Sequence, residues 1–389
     1  MPSRPLVLRH ATLFPDPESP PVRDAAVVVR DGGIAGAGNA ILAPADAVDV
    51  DCSGCAIVAG FWNCHVHFFE RKWADAAAIP SEELCEQLAD FTRYGFTTVF
   101  DLSSPLHNTN ALRARVAAGV SGPRILTTGE GLIPPNGLPA AAALRALGLM
   151  DVPLPEASDP QRARRAAESL IADGADAVKC FASSQNGGSL STEVMHAIAD
   201  CAHARGKPAF AHVNAPADVA SATAAGVDVI AHTTPPHAWD LALFEMMRDA
   251  GVALTPTLHL WQHVLRHDRA ARRREYAETA VQQLRAWKAG NGTVLFGTDY
   301  GAIAADPMPE YLLMHEAGMD FRAILASLTT APAARFGALR RAEGPREYGR
   351  VAEGFAADLV VLEGDPSMNL SALGEIRYTV RAGEIVYRG

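Results

Sequence analysis

Two histidines one residue apart, His65 and His67 in the run Gly60-Phe61-Trp62-Asn63-Cys64-His65-Val66-His67-Phe68, are the first residues in this chain whose spacing suits chemistry. The apolar stretch Ala56-Ile57-Val58-Ala59 leads into them and no helical spacing fits, so the run reads as a strand. Alternation then projects both imidazoles from one face and turns Cys64 and Val66 away. Two imidazoles side by side on a rigid strand make half of a metal site. Four more metal-competent residues, Lys179, His212, His232 and Asp299, each stand alone at the end of a later apolar run. Taken singly, a strand-end histidine is an ordinary hydrogen-bonded core residue; the regular recurrence is what points to a site. Lys179 lies among Ala177, Val178 and Phe181, where desolvation disfavours its charge. A neutral lysine amine can capture carbon dioxide as a carbamate, which turns a cation into a bridging anion.

These residues need elements to hold them. The segment from Ala56 to Leu339 alternates strands with helices, the strands ending near His67, Asp101, Thr128, Phe181, Val213, His232, Thr257 and Asp299. Helix starts and stops agree with it, for example Ser81 before Leu84, Leu88 and Phe91, with Gly95 closing. Eight such units in succession predict an α/β fold, a (β/α)8 TIM barrel over 58–339, in which chemistry sits at the carboxyl ends of the strands. Residues 1–57 are short strands and turns, with Asp31-Gly32-Gly33 as a hairpin signal. A similar pattern returns in Ala357-Asp358-Leu359-Val360-Val361-Leu362 and Tyr378-Thr379-Val380. The expectation is one composite β-sandwich made from 1–57 and 340–389. The glycines at 32, 33, 36 and 38 are followed by no helix, which argues against a nucleotide loop.

Composition excludes several partners. A formal net charge of −10 argues against nucleic acid or an anionic membrane surface. The basic cluster Arg269 to Arg274 has Glu275 and Glu278 beside it and reads as a solvated helix face. No apolar run is long enough for a membrane span, and Met1 to Phe14 lacks a leader pattern, so a cytoplasmic protein is expected. The six cysteines are scattered, as in a reducing compartment. Cys52-Ser53-Gly54-Cys55 has no second pair to complete a zinc knuckle.

At the level of motifs the chain resembles the amidohydrolase superfamily. Gly60 to His67 is similar to its strand 1 motif, and Phe296-Gly297-Thr298-Asp299 to its strand 8 motif. Gly174 to Lys179, Ala211-His212, Ala225 to His232 and the tail Ala357 to Pro366 resemble the imidazolonepropionase and prolidase-like branch. The resemblance implies a pair of divalent metal ions, most often zinc. His65, His67 and Asp299 would bind one, His212 and His232 the other, with carbamylated Lys179 and a hydroxide bridging. Imidazole and carboxylate are donors that suit zinc. Asp299 would be the general acid/base. Deaminases of the superfamily carry a glutamate three residues after the strand 5 histidine, where Ala215 stands here, and mononuclear imidazolonepropionases lack the strand 4 lysine. The implied activity is therefore hydrolysis of an amide (peptide, N-acyl or cyclic), carbamate or lactone in a small molecule, by a homo-oligomer. The alternatives are a mononuclear deaminase-type enzyme or a non-catalytic scaffold relative.

Substrate contacts are expected among residues just past strand ends: His237, His259, Tyr300 and His107 first, then Glu130, Asn136, Trp239 and His263. His237 and His259 follow their strands most closely. The loop Gly129 to Gly137 is short for a prolidase-like enzyme.

Overall fold

The computed structural model describes residues 4–137, 154–184, 188–339 and 346–389. The chain opens with strands β1 (Leu6–Leu13), β2 (Val22–Arg30), β3 (Gly33–Gly38), β4 (Val48–Asp51) and β5 (Cys55–Ala59). Eight strands follow: β6 (Phe61–Val66), β7 (Phe96–Asp101), β8 (Arg124–Thr127), β9 (Val178–Ala182), β10 (Ala209–Val213), β11 (Val229–Ala231), β12 (Ala253–Thr255) and β13 (Thr293–Val294). Each has at least one helix after it, and β14 (Leu359–Glu363), β15 (Ile376–Arg381) and β16 (Glu384–Arg388) close the chain.

The two ends meet in one sheet, ordered β16-β15-β14-β5-β1-β2-β3 with β4 against β1. The joint is the antiparallel pairing of β14 with β5, which sets Leu359 opposite Ala59 and Val361 opposite Ile57. The described strands connect as this single sheet of eight, without a separate second sheet of the expected sandwich. Alternation explains how it seats on the rest of the protein. Ile57 and Ala59 of β5 face a small core with Leu8, Val27 and Val361, whereas Ala56 and Val58 face the large core.

The central strands form two parallel sheets, β6-β7-β8 and β9 to β13. Main-chain hydrogen bonds cross both gaps between them. On one side Leu132 N donates to Lys179 O (2.8 Å) and Phe181 N to Leu132 O (3.0 Å); on the other Cys64 N donates to Phe296 O (2.7 Å) and Asp299 N to His65 O (2.9 Å). The extended path beyond β13 therefore lies against β6, and Gly297 is why it fits. A Cβ there would stand 2.4 Å from Thr255 Cγ2 and 2.7 Å from His65 Cβ.

A third, inner core gathers one or two residues from each of the eight central segments: Trp62, Cys64, Phe100, Leu102, Leu126, Ala177, Phe210, Val229, Ala253 and Leu295. Phe336 fills its centre, with its ring against Trp62, Phe100 and Phe210. Cys64 belongs to this inner core while Val66 belongs to the outer one, so the two do not share a face. The β6/β7 register shifts between Asn63 and Val66, which breaks the alternation expected there. The basic cluster lies on the helix Ala270–Ala289 with Arg272, Arg273 and Arg274 exposed, as expected. No helix among the described residues is long and apolar enough to cross a membrane.

Candidate metal centre

Strand ends bring the chemistry-bearing residues together. His65 sits on β6, with His67 just beyond it; Lys179 is on β9, His212 on β10, His232 one residue past β11, and Asp299 past β13. One ligand atom from each of His65, His232 and Asp299 falls in a group within 4.8 Å of one another. The Asp299 carboxylate oxygen Oδ1 lies 2.7 Å from His67 Nε2 and 3.2 Å from His65 Nε2. The His232 ring stands 4.8 Å, centroid to centroid, from both His65 and His212.

One of these positions depends on backbone that alternation alone does not supply. Val229 faces the inner core and Ile230 the outer one, so a continuing strand would turn His232 outward with Ile230. His232 instead takes φ +87°, in the left-handed region that is uncommon for such residues; Asp299, already on the inner parity of Leu295, also lies there at φ +63°. Gly301, at φ +106°, lets the following chain pass over His67, where a Cβ would come within 2.9 Å.

Side-chain partners fix ring orientations. His67 Nδ1 donates to the Leu102 carbonyl, which can only accept, so Nε2 is left to face Asp299. Asn63 bonds Thr298 twice, Nδ2 to Oγ1 (2.8 Å) and Oδ1 from Thr298 N (3.1 Å), and so ties the turn before Asp299 to β6. His65 Nδ1 is buried and has no hydrogen-bond partner among the described residues. Lys179 is 1 % exposed; its side chain makes no hydrogen bond or ion pair among the described residues, and its Nζ lies 5.9 Å from the Phe181 ring.

Burial sets the charge states. It pushes His65 down to about 4 although Asp299 opposes, and His212 to about 3, with Lys179 adding to the effect. His232 is held well below the usual imidazole range by burial and by the rings of His212 and His65. These rings are therefore neutral at pH 7, the form that ligates metal. Burial pushes Asp299 up, but His65 and His67 outweigh it and hold the carboxyl well below its usual range. Burial also lowers the Lys179 amine to about 8, against the attraction of Asp299. A cluster of neutral imidazoles, an ionised carboxylate and a buried amine with a lowered pKa is chemically a set of donors suited to divalent metal.

The amidohydrolase family model matches residues 56–386. The chain belongs to the amidohydrolase family. Three solved structures share the fold of this amidohydrolase. A putative prolidase from Bifidobacterium longum is 26% identical with TM-score 0.82, over 100% of this chain and 96% of the other. An Xaa-Pro dipeptidase with bound methionine in the active site is 21% identical with TM-score 0.82, over 99% and 100%. The A. niger ochratoxinase is 22% identical with TM-score 0.79, over 98% and 96%. No curated protein sequence matches.

The residues expected to contact substrate are spread more widely. His107, in the first turn of helix Leu106–Ala117, is exposed, and so is His237, whose carbonyl accepts from Gln283 Nε2. Tyr300 turns away from the cluster: its hydroxyl donates to Asp90 (2.8 Å) beside Lys72, at a cavity of about 500 Å³ that Glu70 and His263 also line. His259 and His263 are half-buried on the helix Leu258–Val264. Trp239 is buried and donates to Thr234 Oγ1 (2.6 Å), Glu130 accepts from Leu106 N, and Asn136 is exposed.

Sequence reasoning passed over three side chains behind the cluster. Asp101 is fully buried and accepts from Ser104, Thr109 and Thr127 hydroxyls and from Phe68 N, next to the carbonyl that receives His67. Thr257 meets His232 Nδ1 at 2.6 Å, and Glu310 is buried behind Thr257. Only the polar alternation Asn63, His65, His67 carried any signal of such support.

Proposed function

We propose that this amidohydrolase is a metal-dependent hydrolase that cleaves an amide C–N bond in a small molecule, on a (β/α)8 barrel closed by the hydrogen bonds across its two gaps. The barrel would span 58–339, with the composite β unit from 1–57 and 340–389. The observation that carries the reading is the convergence of His65, His67, His232 and Asp299 beside a buried Lys179 whose side chain has no hydrogen bond or ion pair among the described residues.

In this reading His65, His67 and Asp299 would hold one divalent ion and His212 and His232 a second, with Lys179 as a further ligand. Bound there, the ions, zinc by donor type, would activate water and polarise the scissile carbonyl. Lys179 is matched to its role: an amine lowered to about 8 is partly neutral near pH 7. Its Nζ lone pair bonds to the carbon of carbon dioxide as one C=O π pair moves onto oxygen, and an N–H proton passes to solvent, which yields a carbamate. Asp299, kept ionised by His65 and His67, accepts the proton of the attacking water at its carboxylate and returns it to the leaving nitrogen. Ala215 offers no carboxylate where deaminases have one, which favours hydrolysis over ammonia release.

The test is a hydrolysis screen of the zinc-loaded protein with N-acyl amino acids, dipeptides, carbamates and lactones, beside aminated heterocycles. Cleavage of an amide, abolished in His65→Ala, supports the proposal. Ammonia release from the heterocycles as the dominant activity would overturn it.

A further inference from the structure

A helix start behind His232 is capped in an unusual way. Thr257 is the residue before the helix Leu258–Val264, a position where threonine ordinarily accepts from the first N–H groups. Here it makes no such bond. Glu310, 2 % exposed in the helix Met308–Glu316, takes the position instead. Its Oε1 accepts from Leu258 N and its Oε2 from His259 N, each at 2.8 Å. Both oxygens of a buried carboxylate are thus used on one helix start, where the helix dipole favours negative charge.

The Thr257 hydroxyl is released for other work. Its backbone takes φ +45°, strained for a β-branched residue, and its Oγ1 lies 2.6 Å from His232 Nδ1 and 2.9 Å from the Pro256 carbonyl. A hydroxyl has one proton. Donating it to Pro256, which can only accept, lets Oγ1 accept from His232 Nδ1–H, and this is the arrangement that satisfies both contacts. Nε2 of His232 then carries the lone pair. The same helix grips the next residue as well, since Trp261 Nε1 donates to Thr233 Oγ1 at 2.9 Å.

We propose that Glu310 is a positioning residue for His232: by capping the helix in place of Thr257, it holds the Thr257 hydroxyl on His232 Nδ1 and fixes the tautomer whose Nε2 lone pair faces the cluster. The tautomer follows from the hydrogen bonds alone; its consequence for metal affinity rests on the metal-centre reading above.

The test uses full-length protein labelled with ¹⁵N-histidine, His232 being assigned by difference from His232→Asn, together with zinc affinity by chelator competition. In the metal-free wild type His232 is expected as a single Nδ1–H tautomer. Glu310→Gln keeps the shape but offers an N–H₂ to a backbone N–H, and Thr257→Val removes the hydroxyl. Both are expected to give mixed tautomers and zinc binding about 10–100-fold weaker. Thr257→Ser is expected to restore the single tautomer and affinity to within about threefold, which a merely structural role for the side chain would not require. If Glu310→Gln does not fold, the Val and Ser variants of Thr257 decide the hydroxyl's part and Glu310→Asp, too short to reach both N–H groups, replaces it. An unchanged His232 signal in Thr257→Val and in the Glu310 variant overturns the inference. Wild-type protein that binds no zinc but shows the fixed tautomer would refute the metal reading and leave the positioning intact.

Discussion

Replacing Lys179 by methionine is expected to stabilise the metal-free protein while abolishing its metal binding. The side chain is 1 % exposed and without a hydrogen bond or ion pair among the described residues. Burial lowers its amine from 10.5 to about 8. The unfolded chain therefore binds more protons than the folded one between those values, and stability rises with pH across that window. Below pH 8 the whole penalty is present. At ~1.4 kcal/mol per unit it is on the order of 3 kcal/mol. Methionine has a similar length and volume and carries no charge to desolvate. Urea unfolding of both proteins, with chelator and in buffer freed of carbon dioxide, checks this. Lys179→Met is expected to be more stable by on the order of 3 kcal/mol at pH 7, and by on the order of 1 kcal/mol at pH 9.5, as the wild-type penalty relaxes. A variant less stable than wild type at pH 7, or a gap that does not narrow with pH, would show that the buried amine does not cost the fold this energy.

Three other outcomes follow from the same geometry. Asp299→Asn removes the proton acceptor, so kcat on the best amide found in the screen should fall by about 10²–10⁴; a loss below tenfold would count against the role. Tyr300→Phe removes the hydroxyl that bonds Asp90, away from the cluster, so thermal unfolding should show a loss of about 1–2 kcal/mol with kcat/KM within about threefold. The metal-free protein should lose stability between pH 7 and pH 5, because His65 and His212, lowered to about 4 and about 3, stay neutral when folded while the unfolded imidazoles take up protons. The loss is on the order of 2 kcal/mol per histidine, present as stability above pH 6.5 and removed as pH falls; denaturant midpoints that do not move over this range would contradict it.

The parallel strands and their order were readable because each is a short apolar run closed by a glycine or a helix signal, as at Val178-Lys179-Cys180-Phe181. Single polar residues at their ends stood out against that background. Alternation was a poor guide where the backbone departs from it. Cys64 lies inward across a register shift, and His232 reaches the cluster through a left-handed φ that no local sequence pattern marks. Tyr300 follows Asp299 directly, yet its side chain runs to Asp90, a partner 210 positions away. Glu310 was invisible for the same reason. Within Met308-Pro309-Glu310-Tyr311 it resembles any first-turn glutamate, and only the packing of two helices shows that it is buried and caps the other. The terminal strands were legible as a unit, but their union in one sheet depends on the β5 to β14 pairing, which spans the whole chain.

Anomalous diffraction at the zinc edge from crystals of the zinc-loaded protein tests the metal centre most directly. Two peaks are expected at the strand ends, one among His65, His67 and Asp299 and one beside His212 and His232, with density for a carboxylated Lys179 joining them. Absence of any peak within reach of these side chains, or zinc bound elsewhere on the surface, would contradict it.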